Sequence, residues 1–152
     1  MKIKNFAEGA EHLVAKLSTE VELDSTWQVV SLGDLAIPIA VRIAQELATS
    51  AIVVNVSGGK DLNGFLNEPE FVIPENLGKK LLVCDVGVET GKTATQFVAA
   101  LKASGFQCHL WLVALVIPKE IESLLRQDYQ KLISIKSPLV RRELRWEFDE
   151  FA

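Results

Sequence analysis

Two hydrophobic rhythms alternate along the chain. Phe6, Ala10, Leu13, Val14 and Leu17 recur at spacings of three and four, which places them on one helical stripe and predicts an amphipathic helix lying on a sheet. Residues 27–31 (WQVVS) then read as a short buried strand. A second helix follows with Ala36, Ala40, Ile43, Ala44 and Leu47 on its inner face, and Pro38 suits its first turn, where the missing N–H costs nothing. Residues 51–56 (AIVVNV) form another apolar strand. The stretch 57–78, with its glycines, two prolines and Phe71-Val72-Ile73, reads as a long loop or hairpin excursion of the kind that usually serves function. Residues 80–85 (KLLVCD) make a third buried strand. Ala94, Phe97, Val98 and Leu101 mark a helix that Gly105 ends. A fourth strand over 107–116, a helix opened by Pro118 and a fifth strand over 132–135 (LISI) complete the pattern.

Apolar strand followed by amphipathic helix, repeated, predicts an α/β fold: a doubly wound, mostly parallel sheet of about five strands flanked by helices. The ligand site of such a sheet lies at the carboxyl ends of its strands. The 152 residues, 49% of them hydrophobic, suit a single domain over 1–152 with a sizeable core. A formal charge of −4 argues against nucleic acid as the main partner, because a backbone binder needs a basic surface. Any bound phosphate must therefore be held locally. The start of the chain leads into an amphipathic pattern and no signal peptide is expected there. The apolar run 110–118 is too short for a bilayer, so no membrane role is expected. Cys84 and Cys108 each sit in apolar surroundings and read as two buried thiols of a reducing cytoplasm. His12 and His109 have no clustered partners, which leaves metal binding or a catalytic triad without support.

The informative stretch is Leu81-Leu82-Val83-Cys84-Asp85-Val86-Gly87-Val88-Glu89-Thr90-Gly91-Lys92-Thr93. A buried strand ends in an acid, and Thr-Gly-Lys-Thr opens a helix. Unpaired N–H groups at a helix start, two hydroxyls and a glycine that lets the backbone close in form an anion cradle. A carboxylate beside it accepts hydroxyl hydrogens. The residues alone thus describe a site for a phosphorylated small molecule. Gly91-Lys92-Thr93 also ends like a P-loop ATPase motif, but that motif needs glycine five residues before Gly91, where this chain has Val86.

Strand, acid and Thr-Gly-x-Thr resemble the phosphoribosyl pyrophosphate signature of type I phosphoribosyltransferases, and Glu89-Thr90-Gly91-Lys92-Thr93 is most similar to the bacterial xanthine/guanine, 6-oxopurine branch. The resemblance covers most of the chain. It implies that Thr90, Gly91, Lys92 and Thr93 wrap a 5-phosphate and that Asp85 holds a ribose hydroxyl and the expected magnesium ion. It implies further that Glu89 serves with Asp85 as a catalytic carboxylate, exchanging a proton near the purine N7. Leu32, Gly33 and Asp34 stand at the pyrophosphate loop, and Ile117 and Trp146 at the base. The activity so implied is transfer of ribose 5-phosphate from phosphoribosyl pyrophosphate to a nitrogenous base by a cytoplasmic homodimer. The alternative is a non-catalytic nucleotide-binding or regulatory module on the same fold.

Three positions depart from the family pattern. Val86 replaces the second of two adjacent acids. Asp34 brings negative charge to the pyrophosphate loop, where two anions about 4 Å apart repel by roughly 4 kcal/mol at an effective dielectric of 20 unless a cation intervenes. Ile117 stands where the salvage enzymes place a lysine for the purine 6-oxo group, and Lys119 lies two residues further on. In the tail, charged and large apolar residues alternate at period two from Arg141 to Phe151, which predicts a short C-terminal strand or hood. Its Leu144, Trp146 and Phe148 face would stack on a base or pack against the core or a partner chain. Arg141, Arg142 and Arg145 would meet phosphate or a partner.

Overall fold

The computed structural model describes residues 2–60 and 66–152, with side chains outside 56–69. Helix α1 (Phe6–Leu17) starts where the Asn5 side chain accepts the Glu8 N–H at 2.9 Å, satisfying one of the donors a helix start leaves open. Its buried stripe of Phe6, Ala10, Leu13, Val14 and Leu17 is the one the spacing predicts. Strand β1 (Gln28–Leu32) leads to α2 (Ile37–Glu46), which has Pro38 in its first turn. Then come β2 (Ala51–Val54), β3 (Val56–Lys60), β4 (Leu66–Phe71), β5 (Lys80–Gly87), α3 (Lys92–Ala103), β6 (His109–Val116), α4 (Lys119–Leu125) and β7 (Lys131–Lys136). A 3₁₀ turn (Leu144–Glu147) closes the chain.

Five strands form one all-parallel sheet in the order β2-β1-β5-β6-β7, as expected. Alternation along β5 sorts its residues onto two cores. Leu82, Cys84 and Val86 pack with α1 and α2, whereas Leu81 and Val83 pack with α3 and α4. The same period puts Asp85 on the α3 side. From β1 the chain first adds β2 on one side and then β5 on the other, so the strand order reverses between β1 and β5. A crevice opens at their carboxyl ends, and both loops singled out above emerge there.

Several boundaries move for local reasons. The strand predicted over 51–56 divides at Asn55: Val54 O is taken by the Gly33 N–H at 3.0 Å, and the chain leaves the sheet to form the antiparallel β3–β4 hairpin. The excursion is thus a hairpin, and its residues 61–65 lie outside the described residues. Strand β5 runs two residues past Asp85 because Gly87 still pairs with Val116. Cys84 is buried, but Cys108 is only partly so and precedes β6.

The tail is not a strand. Trp146 is 54% exposed, whereas Glu147, read as part of the polar face, is buried. Glu147 Oε1 accepts from Arg142 Nε at 2.6 Å and lies 3.4 Å from Lys136 Nζ, so two cations balance the charge that burial disfavours. Phe148 packs edge-on against Phe6 and Phe151, and Ile3 N–H donates to Glu147 O. The tail is thereby pinned to the start of the chain. Among the described residues no helix is long and apolar enough to cross a membrane.

Candidate functional site

The crevice is a cavity of about 320 Å³ lined by Leu32, Gly33, Asp85, residues 87–94 and Leu144. Helix α3 begins in it. Its cap residue, Gly91, has φ 82° and offers no side chain to the first helical N–H groups, which at a helix start have no intrahelical acceptor; Thr93 and Ala94 line the cavity. A β-carbon at Gly91 would approach Ile121 Cγ2 to 3.0 Å, in a backbone conformation that L-residues disfavour. Glycine is therefore what brings α4 and the cradle together. Thr90 Oγ1 accepts the Lys92 N–H at 3.3 Å, and Thr95 Oγ1 donates to Gly91 O at 2.9 Å. Lys92 is exposed.

Tyr129 fixes this helix start from below: its buried hydroxyl donates to Ala94 O at 2.8 Å. Nothing in the periodicity singles it out. The only usable signal is that it is the one tyrosine in the chain, shortly before β7.

Asp85 is half-buried and lines the same cavity as the helix start. Burial pushes its carboxyl up to about 7, against the pull of the Val86 N–H that donates to Oδ1 at 2.8 Å. The group thus holds or releases a proton near neutrality. Val86 points into the opposite core and is 1% exposed.

From the other side, Ser31 Oγ donates to Gly33 O at 2.8 Å, and Gly33 has φ 79°. Leu32 and Gly33 reach the cavity. Asp34 does not: it is exposed and outside the lining, and its carbonyl accepts the Ile37 N–H at 3.2 Å as the chain enters α2. Asp34 thus stands on the surface beyond the turn at Gly33.

Glu89 lines the cavity, and its Oε1 accepts the Leu144 N–H at 3.0 Å. The structure does not bring Ile117 or Trp146 to the site. Ile117, one residue past β6, is 1% exposed within the α3–α4 core. Trp146 points outward and its Nε1 donates to Glu143. Lys119 opens α4 on the surface. Of the tail residues, Leu144 is the one that reaches the cavity.

No family model matches the chain, and no curated protein sequence matches it. Solved structures do. TT1426 from Thermus thermophilus superposes over 100% of this chain and 92% of its own, with a TM-score of 0.75 at 13% identity. A purine phosphoribosyltransferase from Pyrococcus horikoshii does so over 90% of each chain, with a TM-score of 0.60 at 16% identity. A hypothetical protein from Neisseria gonorrhoeae with bound ppGpp covers 78% of this chain and 73% of its own, with a TM-score of 0.57 at 17% identity. The chain therefore has the phosphoribosyltransferase fold.

Proposed function

We propose that this protein binds phosphoribosyl pyrophosphate and transfers its ribose 5-phosphate to a nitrogen acceptor. The observation that carries the proposal is the convergence, in one cavity at the strand-order reversal, of the glycine-capped start of α3, the Asp85 carboxylate and the Gly33 turn. The N–H groups and hydroxyls of Thr90, Gly91, Lys92 and Thr93 take the 5-phosphate. Asp85 accepts from a ribose hydroxyl, and the Gly33 backbone faces the diphosphate. As the C1–O bond breaks, the pyrophosphate leaves with the bonding electrons, the acceptor nitrogen bonds to C1, and its proton passes to Glu89.

Magnesium fits this arrangement in a limited way. Among the described residues no group of three or more histidines, cysteines or acids could hold a metal. Asp85 has one oxygen engaged with Val86 N–H and offers the other. Magnesium keeps most of its waters and favours phosphate oxygens, so a diphosphate would bring the ion and Asp85 would supply a single protein ligand. Bound there, it would neutralise the leaving pyrophosphate.

A second reading, a nucleotide-binding module without transfer, is supported by Val86 in place of a second acid and by the tail N–H on Glu89. In the Neisseria protein a similar fold carries bound ppGpp. Pyrophosphate release from phosphoribosyl pyrophosphate and magnesium, assayed over a panel of bases and amines, separates the two. Titration calorimetry with ribose 5-phosphate tests what they share. Thr93→Val is expected to weaken that binding by about 1.5 to 3 kcal/mol, the scale of a hydrogen bond to a charged group, with little change in melting temperature. Equal affinity in the variant would move the phosphate elsewhere.

A further inference from the structure

Gly87 is the last residue of β5 and forms part of the cavity floor. A β-carbon there would overlap Leu144 Cδ2 and come within 3.3 Å of both Leu144 Cδ1 and Val116 O. The leucine side chain therefore occupies the space above the ends of β5 and β6. Its backbone N–H donates to Glu89 Oε1 at 3.0 Å, so the same residue engages the exposed carboxylate to which the transfer proposed above gives the acceptor's proton. The tail is fastened on both sides of this contact. Before it, Arg141 N–H donates to Glu120 Oε1 at 2.6 Å. After it, Glu147 is buried with Arg142 and Lys136, and Phe148 sits in the aromatic cluster with Phe6 and Phe151. Among the described residues no aromatic side chain lines the cavity, so they give it no surface for stacking a base.

We propose that Leu144 determines specificity by closing the acceptor side of the cavity, so that the site takes ribose 5-phosphate and its 1-pyrophosphate but rejects nucleoside 5′-monophosphates. The inference rests on the phosphate cradle proposed above, which both readings share. The cradle end and the ribose carboxylate remain open to a sugar phosphate, whereas a ring attached at C1 would meet a branched aliphatic side chain held by two anchors. For a transferase, the acceptor is then a nucleophile smaller than a nucleobase. For a binding module, the ligand is then the sugar phosphate itself in place of the nucleotide named in the second reading above.

The test is calorimetric titration of the full chain with ribose 5-phosphate, adenosine 5′-monophosphate, guanosine 5′-monophosphate and uridine 5′-monophosphate. The wild type is expected to bind ribose 5-phosphate at least tenfold more tightly than any of the nucleotides. Leu144→Ala, which keeps the backbone N–H and opens the space, should reduce that ratio tenfold or more, chiefly by gaining nucleotide affinity. Leu144→Met, close in volume, should keep the wild-type ratio and shows that the effect is not loss of the tail fold. Nucleotides bound by the wild type as tightly as ribose 5-phosphate would overturn the inference and leave the cradle standing. So would an unchanged ratio in Leu144→Ala. Absence of ribose 5-phosphate binding in the wild type would overturn the cradle, and the inference with it.

Discussion

Asp85→Asn is expected to stabilise the folded protein by on the order of 4 kcal/mol at pH 8 and to leave its stability at pH 4 nearly unchanged. Burial raises the Asp85 carboxyl from an ordinary value of 3.8 to about 7. Between those two values the native state keeps a proton that the unfolded chain has released, so the unfolding free energy falls as pH rises through this window. Each unit of separation is worth about 1.4 kcal/mol. Below about pH 4 both states hold the neutral acid and the wild type behaves like the amide variant. Above about pH 7 both are ionised and the native state carries the whole cost of a half-buried charge. Urea unfolding of the two proteins at half-unit steps from pH 4 to pH 8 reads the divergence directly. Parallel curves would mean that Asp85 is well solvated and has an ordinary carboxyl.

A carboxylate that weakens its own fold when ionised is understandable if a ligand compensates for it. A bound cation or a hydroxyl donor stabilises the charged form and pulls the carboxyl back down. Binding of magnesium with phosphoribosyl pyrophosphate should therefore release close to one proton more from the wild type than from the amide variant at about pH 6 and almost no more at about pH 8, because protons given up by the ligand's phosphates are common to both. Calorimetry in buffers of different ionisation enthalpy measures that release. The amide variant should release only what the ligand's own phosphates give up while gaining stability, the usual opposition between a site's chemistry and the fold that holds it.

The order of strands and helices was legible because each has a strong period: every buried residue expected of α1 is buried, and residues 80–85 could only be an inner strand. The helix start at Gly91 and the strand that ends beside it were legible for the same reason, since an acid after a buried strand and Thr-Gly-Lys-Thr before a helical stripe are local signals. What lay beyond the sequence depended on contacts between distant segments. Period two in the tail pointed to a strand with Trp146 inward, but Glu147 finds Arg142 and Lys136 and goes inside instead, which turns Trp146 to solvent. Neither the reach of Leu144 over Gly87 nor the hydroxyl of Tyr129 under α3 has a signature in local spacing, because each joins residues more than thirty positions apart. Asp34 is a different case: beyond the positive-φ turn at Gly33 its side chain is exposed and lies outside the cavity lining, a placement that charge alone does not signal.

Glu147 is the tail's anchor, and its energetics should be asymmetric. The side chain is 1% exposed, Oε2 has no hydrogen-bond partner among the described residues, and Oε1 is held by Arg142 and Lys136, which are 53% and 23% exposed. Removing both cations would leave a buried carboxylate without compensation, whereas removing the carboxylate would leave two cations able to reach water. Lys136→Ala with Arg142→Ala is therefore expected to cost about 3 to 5 kcal/mol of stability. Adding Glu147→Met to that pair should recover most of the loss, because methionine is close in length, adapts to its surroundings and carries no charge. Glu147→Met alone should cost little or be neutral. Thermal and urea unfolding of the four proteins gives the comparison. If the triple variant is as unstable as the double, the cations serve by packing their stems against the tail and the charge on Glu147 is not what they answer. The ligand readout should follow the same order. Where Glu147 is left uncompensated the tail loosens, Leu144 withdraws from Gly87, and nucleoside monophosphates gain affinity relative to ribose 5-phosphate; once Glu147→Met is added the tail re-seats and the wild-type discrimination returns.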